Sequence, residues 1–282
     1  MPFIDRDGVA LRYEVHGRGP ALLLSHSYGA TMRMWDRQVA HFADRHRVIL
    51  WDLRGHGGSA DPVDPAAYSQ ALTIGDMAAI LDACDVERAV VGGIGLGGRM
   101  SLAFHVDHPE RTEALVLCGA TPGFRHYEAR TASNFRANSR AHSLEVKGLE
   151  ALGRGREVRF AVHRSALGLA CAARGMLVQH DALLVDLLPT VAVPTLIVVG
   201  SDDSEHFAAA NVMTAMIPGA RRVVIQGAGA ISNIDQPRAF NLAVASFIDR
   251  LPAAAPIPPP QPIRHSREPA APSTNAGWVA YR

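Results

Sequence analysis

The segment Val90-Val-Gly-Gly-Ile-Gly-Leu-Gly-Gly-Arg-Met100 joins an apolar run to a glycine-rich turn and then to a helical pattern. Two chemistries use such a turn. Gly93, Gly95 and Gly98 satisfy G-x-G-x-x-G, in which bare backbone approaches a pyrophosphate at a helix N-terminus. Its place in the chain argues against that use. The motif follows the fifth strand-like run, and the next run ends at Cys118-Gly119, where a nucleotide site needs an acidic residue for the ribose. The second chemistry is the nucleophile elbow, G-x-S-x-G, whose sharp bend lifts a serine above a sheet. Gly93-Ile94-Gly95-Leu96-Gly97 keeps both flanking glycines and carries glycine where the serine would stand. Glycine relieves the strain of that bend and opens space above the sheet, so one change removes a nucleophile and makes room for a ligand.

The elements that must position this turn are legible as short apolar runs. Eight are expected: Pro2–Asp5, Leu11–His16, Ala21–Ser25, Val48–Asp52, Ala89–Gly93, Ala114–Cys118, Thr195–Val199 and Arg222–Gln226. Asp7-Gly8 between the first two predicts a hairpin. Helical patterns at Ile74–Cys84, Gly97–Val106, Phe207–Met216 and Pro237–Leu251 alternate with the later runs, which predicts right-handed crossovers and a mostly parallel sheet with helices on both faces. Residues 124–193 read as a helical lid inserted into a core formed by 1–123 and 194–251. The lid carries six arginines from Arg125 to Arg156, read either as a solvated basic face or as partners of an anionic ligand. Residues 252–282 turn abruptly to proline and alanine and read as a disordered tail whose protein partner, if any, the sequence does not name.

Composition narrows the function classes. With 28 basic and 27 acidic residues the net charge is +1, so no strong field draws the chain to nucleic acid or anionic lipid. Cys84, Cys118 and Cys171 are an odd number and far apart, which argues against a disulfide framework or a zinc cluster. No signal-peptide pattern and no membrane-length apolar run stand out, so a cytoplasmic location is expected. No metal and no cofactor are expected.

Several further motifs, taken with the elbow, resemble the α/β-hydrolase superfamily and within it the branch of 3-oxoadipate enol-lactonases and related esterases. They are Leu24-Ser-His-Ser-Tyr-Gly29 with Met34-Trp-Asp-Arg-Gln38, Trp51-Asp-Leu-Arg-Gly-His-Gly-Gly-Ser59, Val193-Pro-Thr-Leu-Ile-Val-Val-Gly-Ser-Asp-Asp203 and Gln226-Gly-Ala-Gly-Ala-Ile-Ser-Asn233. The resemblance spans residues 3 to 250 and implies an eight-stranded α/β-hydrolase sheet with a helical lid.

Carried over residue by residue, the resemblance implies a degenerate triad. The nucleophile position is Gly95, the base position is Ala230, and only the acid position, Asp203, keeps its chemistry. Oxyanion-hole donors are main-chain groups and survive side-chain changes; they are implied to be the N–H groups of Tyr28 and Leu96. His26, Ser27, Arg99 and Cys118 are candidate contacts for a small carbonyl, ester or lactone-like ligand. Cys118, Ser101, His206 and Ser232 are candidate replacement catalysts. Losing nucleophile and base costs on the order of a millionfold in serine hydrolases. Three readings follow: a non-hydrolytic enzyme acting on a carbonyl compound, a catalytically silent binder or regulator, and a residual hydrolase with a displaced nucleophile.

Overall fold

The computed structural model describes residues 2–251. The tail expected at 252–282 lies outside the described residues. Eight strands form one sheet in the order β1-β2-β4-β3-β5-β6-β7-β8. They are β1 (Phe3–Arg6), β2 (Val9–His16), β3 (Ala21–Ser25), β4 (Arg47–Trp51), β5 (Ala89–Ile94), β6 (Thr112–Cys118), β7 (Thr195–Gly200) and β8 (Arg221–Ile225). β1 pairs with β2, and β2 with β4, antiparallel; every later pairing is parallel. Each expected strand is present within two residues of its expected ends. Asp7 and Gly8 turn the hairpin with φ of 55° and 79°.

The helices are α1 (Asp36–Phe42), α2 (Gln70–Ala83), α3 (Leu96–Asp107), α4 (Tyr127–Lys147), α5 (Ala166–Ala172), α6 (Leu183–Asp186), α7 (Phe207–Met216), α8 (Ser232–Asp235) and α9 (Pro237–Ile248). Their distribution follows from the period-two alternation of the buried strands. Leu23, Ile49, Trp51, Val91 and Leu115 face one side, where Met77 and Ile80 of α2 and Met100 and Phe104 of α3 cover them. Leu22, Leu24, Val48, Leu50, Val90 and Val116 face the other, against Trp35, Phe42 of α1 and Phe240 and Phe247 of α9. α4 to α6 lie between β6 and β7, in the segment expected to be inserted. α4 buries only Ala137, Ala141 and Leu144, the narrow stripe of a helix packed on one side, and exposes Tyr127, Phe135 and Val146 among its polar residues.

The glycines of the turn after β5 have a packing cause. A Cβ on Gly97 would lie 2.2 Å from Ser25 O, and one on Gly98 would lie 2.7 Å from Ala120 Cβ. β3, β6 and the first turn of α3 close on one another only because these positions lack side chains. That packing accounts for the glycine spacing without a nucleotide.

No helix among the described residues is long and apolar enough to cross a membrane.

Candidate active site

β5 ends at the centre of the sheet, and Gly95 reverses the chain into α3 with φ 56° and ψ −116°. This is a backbone conformation that side-chain-bearing residues rarely adopt. The Gly95 N–H donates to Cys118 O at 3.0 Å and Gly95 O accepts from Arg99 N–H at 3.1 Å, which pins the bend from both sides. A Cβ placed on Gly95 would meet Ser27 Cβ at 3.4 Å and Gly119 O at 3.9 Å, both ordinary contacts. The apex therefore has room for a side chain and carries none.

Above it lies a cavity of about 650 Å³. Its floor is Ser27, Tyr28, Gly95, Leu96 and Gly119; its roof includes Ser133, Arg136, Ala137 and Arg140 of α4. One flank is the start of α7 with Glu205 and His206 beside it, and another is Ala230 and Ile231 after β8. This is the C-terminal edge of the parallel strands, where open α/β sheets bind ligands. A smaller concavity of about 320 Å³, lined by Val193, Pro194 and Arg221 among others, sits at the opposite ends of β7 and β8.

Tyr28 and Leu96 both line the cavity. Leu96 opens α3, so its N–H belongs to the first turn, whose amides have no intrahelical acceptor. The Tyr28 phenol donates to Leu169 O of α5 at 2.7 Å, so the residue fastens the floor to the inserted helices. Ser27 Oγ is buried without a protein partner. Arg99 is half-buried in the wall, with Nη1 donating to Leu177 O at 3.2 Å and Nε sealed without a partner. Burial pulls its pKa down, and Asp181 offsets this weakly. Among the described residues no carboxylate pairs with it.

Two candidate ligand contacts are corrected by the structure. His26 is fully buried and outside the cavity wall. Its Nδ1 donates to Ser27 O at 2.8 Å while Nε2 accepts from Leu53 N–H at 3.0 Å. It holds the floor loop to the strand exit at β4. Cys118 is also buried and outside the wall, 3.1 Å from Ser232 Oγ. Burial pushes its thiol up to about 12, so it stays a thiol and is a poor nucleophile.

Ser101 is likewise sealed, its Oγ donating to Gly97 O at 2.8 Å, and Ser232 is fully buried against Cys118. Of the four candidate replacement catalysts only His206 reaches the cavity. Asp203 itself is buried behind it. Its Oδ1 and Oδ2 lie 2.9 Å and 3.1 Å from His206 Nδ1. Burial pulls the His206 pKa down, but the hydrogen bond and charge of Asp203 outweigh that and leave it raised.

Sequence reasoning did not single out Thr121, Glu157, Glu205 or Val212, which also line the cavity. Arg136 and Arg140, with Ser133 and Ala137, were findable in principle. Their spacing of three and four puts them on one helix face.

His26 belongs to a trio of packed rings with His56 and His163, tilted and edge-on to one another, with ring centroids 5.1 Å and 5.8 Å apart. His163, from the inserted segment, accepts from Gly57 N–H at 3.0 Å and donates to Gly29 O at 2.9 Å. An imidazole that accepts at one nitrogen and donates at the other must be neutral. Burial, against the charge of Asp52, pulls His26 down to about 4; burial lowers His56 and His163 as well. Folded pKa values below the unfolded value mean that the unfolded chain takes up protons first as pH falls. Stability is therefore expected to be full above pH 6.5 and to decline between 6.5 and about 4. His26 alone accounts for about 3 kcal/mol over that window. Thermal unfolding followed from about pH 7.5 to pH 5 measures it. A flat melting temperature across that range would refute neutral buried histidines.

A mostly parallel sheet, a strained strand-to-helix turn at its centre and a lidded cavity over that turn define the α/β-hydrolase fold. Residues 20–144 match the protein family described as alpha/beta hydrolase fold. The chain has the α/β-hydrolase fold. 3-Oxoadipate enol-lactonase 2 of Acinetobacter baylyi is 29% identical over 86% of this chain and 94% of its own length. The crystal structure of the enol-lactonase from Burkholderia xenovorans LB400 aligns with TM-score 0.72 and 26% identity over 88% of this chain and 100% of that one. A thermophilic esterase from Thermogutta terrifontis, determined with malate bound, aligns with TM-score 0.76 and 26% identity over 88% and 97%. In sequence and in fold the chain is similar to these enol-lactonases.

Proposed function

We propose that the chain binds a small carbonyl compound carrying a carboxylate and promotes a reaction at its carbonyl without forming an acyl-enzyme. The observation that carries this reading is the turn apex. It is bent as a nucleophile elbow, bears no side chain, and opens on a cavity flanked by the Tyr28 and Leu96 residues and an Arg99 guanidinium that no carboxylate among the described residues pairs with. Main-chain amides aimed at a carbonyl oxygen lower barriers to enolate-like or tetrahedral states by a few kcal/mol without covalent chemistry. A guanidinium that lines the cavity with no carboxylate paired to it favours a ligand that supplies the missing anion. The names of two relatives are in keeping with this, one mentioning 3-oxoadipate and the other bound malate.

The test has two parts. Activated esters and enol-lactones should not be turned over by the purified chain above the buffer rate. A carboxylate-bearing ketone such as 4-oxopentanoate should bind, and Arg99→Met should weaken that binding about 10- to 100-fold, the worth of a charged hydrogen bond. The methyl ester of the same ketone should bind both forms alike. Enzymatic ester turnover by the parent chain, or indifference of carboxylate binding to Arg99→Met, sinks the proposal.

A further inference from the structure

Position 230, in the wall of the same cavity as the apex, carries a methyl group, and an imidazole enters the cavity from another element. His206 is the residue before α7, three positions after Asp203. Its ring is 19% exposed and forms part of the cavity wall, whereas Asp203 behind it is 3% exposed. Both carboxylate oxygens lie within hydrogen-bond distance of Nδ1, and Oδ1 also accepts from the His206 main-chain N–H at 3.1 Å. This double grip sets the ring's orientation and its tautomer. Nδ1 carries the proton, and Nε2 is left as the basic nitrogen with no protein partner among the described residues. A buried carboxylate held against the far nitrogen of an imidazole is the arrangement that stabilises an imidazolium formed during proton transfer.

We propose that His206, oriented by Asp203, is the acid–base catalyst of this cavity, and that it moves a proton at the carbon beside a ligand carbonyl. This deepens the function proposed above and rests on it. In the step, neutral Nε2 takes a proton from the carbon adjacent to the carbonyl. The electron pair of the broken C–H bond becomes a C=C bond, and the carbonyl oxygen becomes an enolate oxygen facing the amides of Tyr28 and Leu96. The imidazolium, its charge balanced by Asp203, returns the proton to the same carbon or to the far end of a conjugated system. Return to the far end of the conjugated system is an isomerisation; when the imidazolium first trades its proton with solvent water, return to the same carbon is a hydrogen exchange, and atoms and electrons balance in both.

The competing explanation is structural, because the same bonds shape the turn that starts α7. The test therefore needs readouts that a turn-former would not move. The full chain is incubated with 4-oxopentanoate in D2O, and loss of the proton signals beside the ketone is followed by NMR. The parent should accelerate exchange over buffer. His206→Gln should lose about 10²- to 10⁴-fold of that rate, the usual worth of a general base, with probe affinity unchanged within about threefold. Added imidazole should restore exchange in His206→Ala, which refolding of a turn does not explain. The rate should rise with pH through a raised histidine pKa, set by Asp203 and Glu205 on its own loop with Arg99, Arg136, Arg140 and Glu157 around the cavity. Probe binding with no exchange, or exchange unaltered in His206→Gln, overturns the acid–base pair and leaves the binding proposal standing. Failure of the probe to bind overturns both.

Discussion

Gly95→Ser and Ala230→His, made together, are expected to turn a chain silent toward activated esters into a measurable esterase. The gain should be at least about 100-fold over the parent, still far below the roughly millionfold that an intact triad is worth. The geometry argues for it step by step. Gly95 already has the torsions of an elbow apex, and its missing Cβ points into ordinary contact distance of Ser27 and Gly119. Serine there is strained by about 1–3 kcal/mol, which the hydrogen bonds to Cys118 and from Arg99 must hold in place. Ala230 lies on the cavity wall, so a histidine there faces the same space. Neither single change should suffice, because nucleophile and base act as a unit. His206 competes for Asp203 and should cap the gain; adding His206→Ala is expected to raise ester turnover further. Initial rates with p-nitrophenyl acetate, each variant checked for a folded far-UV spectrum, decide the matter. A folded but silent triple variant would mean that Asp203 or the amides are not placed for acyl transfer.

Asp76→Ala should produce the largest loss of stability, about 3–5 kcal/mol. Asp76 on α2 and Arg54, in the loop after β4, are both buried and joined by two hydrogen bonds, at 2.6 Å and 2.8 Å. Arg6 approaches the same carboxylate at 3.6 Å. Burial raises the Asp76 pKa despite the opposing pull of Arg54, so taking the carboxylate out of water costs more than the pair regains. Such a pair adds little net stability while intact and is costly to break, because the surviving charge stays buried alone. The Arg54 carbonyl also accepts from His56 Nδ1 at 3.0 Å, so the damage should spread into the histidine trio under the cavity floor. Urea midpoints test this, with a drop in melting temperature on the order of 10 °C expected. The double variant Arg54→Met/Asp76→Leu should lose much less than Asp76→Ala. Equal losses in both would show that the volume of the pair, and not its charge, is what the fold needs.

Much of this molecule was legible before any coordinates. Alternating and continuous apolar runs located eight strands because a strand's burial is written in its own period. Asp7-Gly8 announced the hairpin because those residues tolerate positive φ, and glycine at position 95 marked a bend that only a glycine or a strained residue adopts. These are local properties, and local residues determine them.

Tertiary structure alone decided which polar groups meet the cavity. His26 and Cys118 sit in motifs next to the site and looked like contacts, yet both turn inward, one to bridge two loops and one to bond Ser232. His206 was one of four candidate replacement catalysts, and it alone faces the cavity because α7 begins where β7 ends, at the same sheet edge as the bend after β5. Which face a loop residue presents depends on packing between segments more than a hundred residues apart. A single chain's residue order names the groups available for chemistry, and long-range burial selects among them by sealing some from solvent and leaving others at the wall.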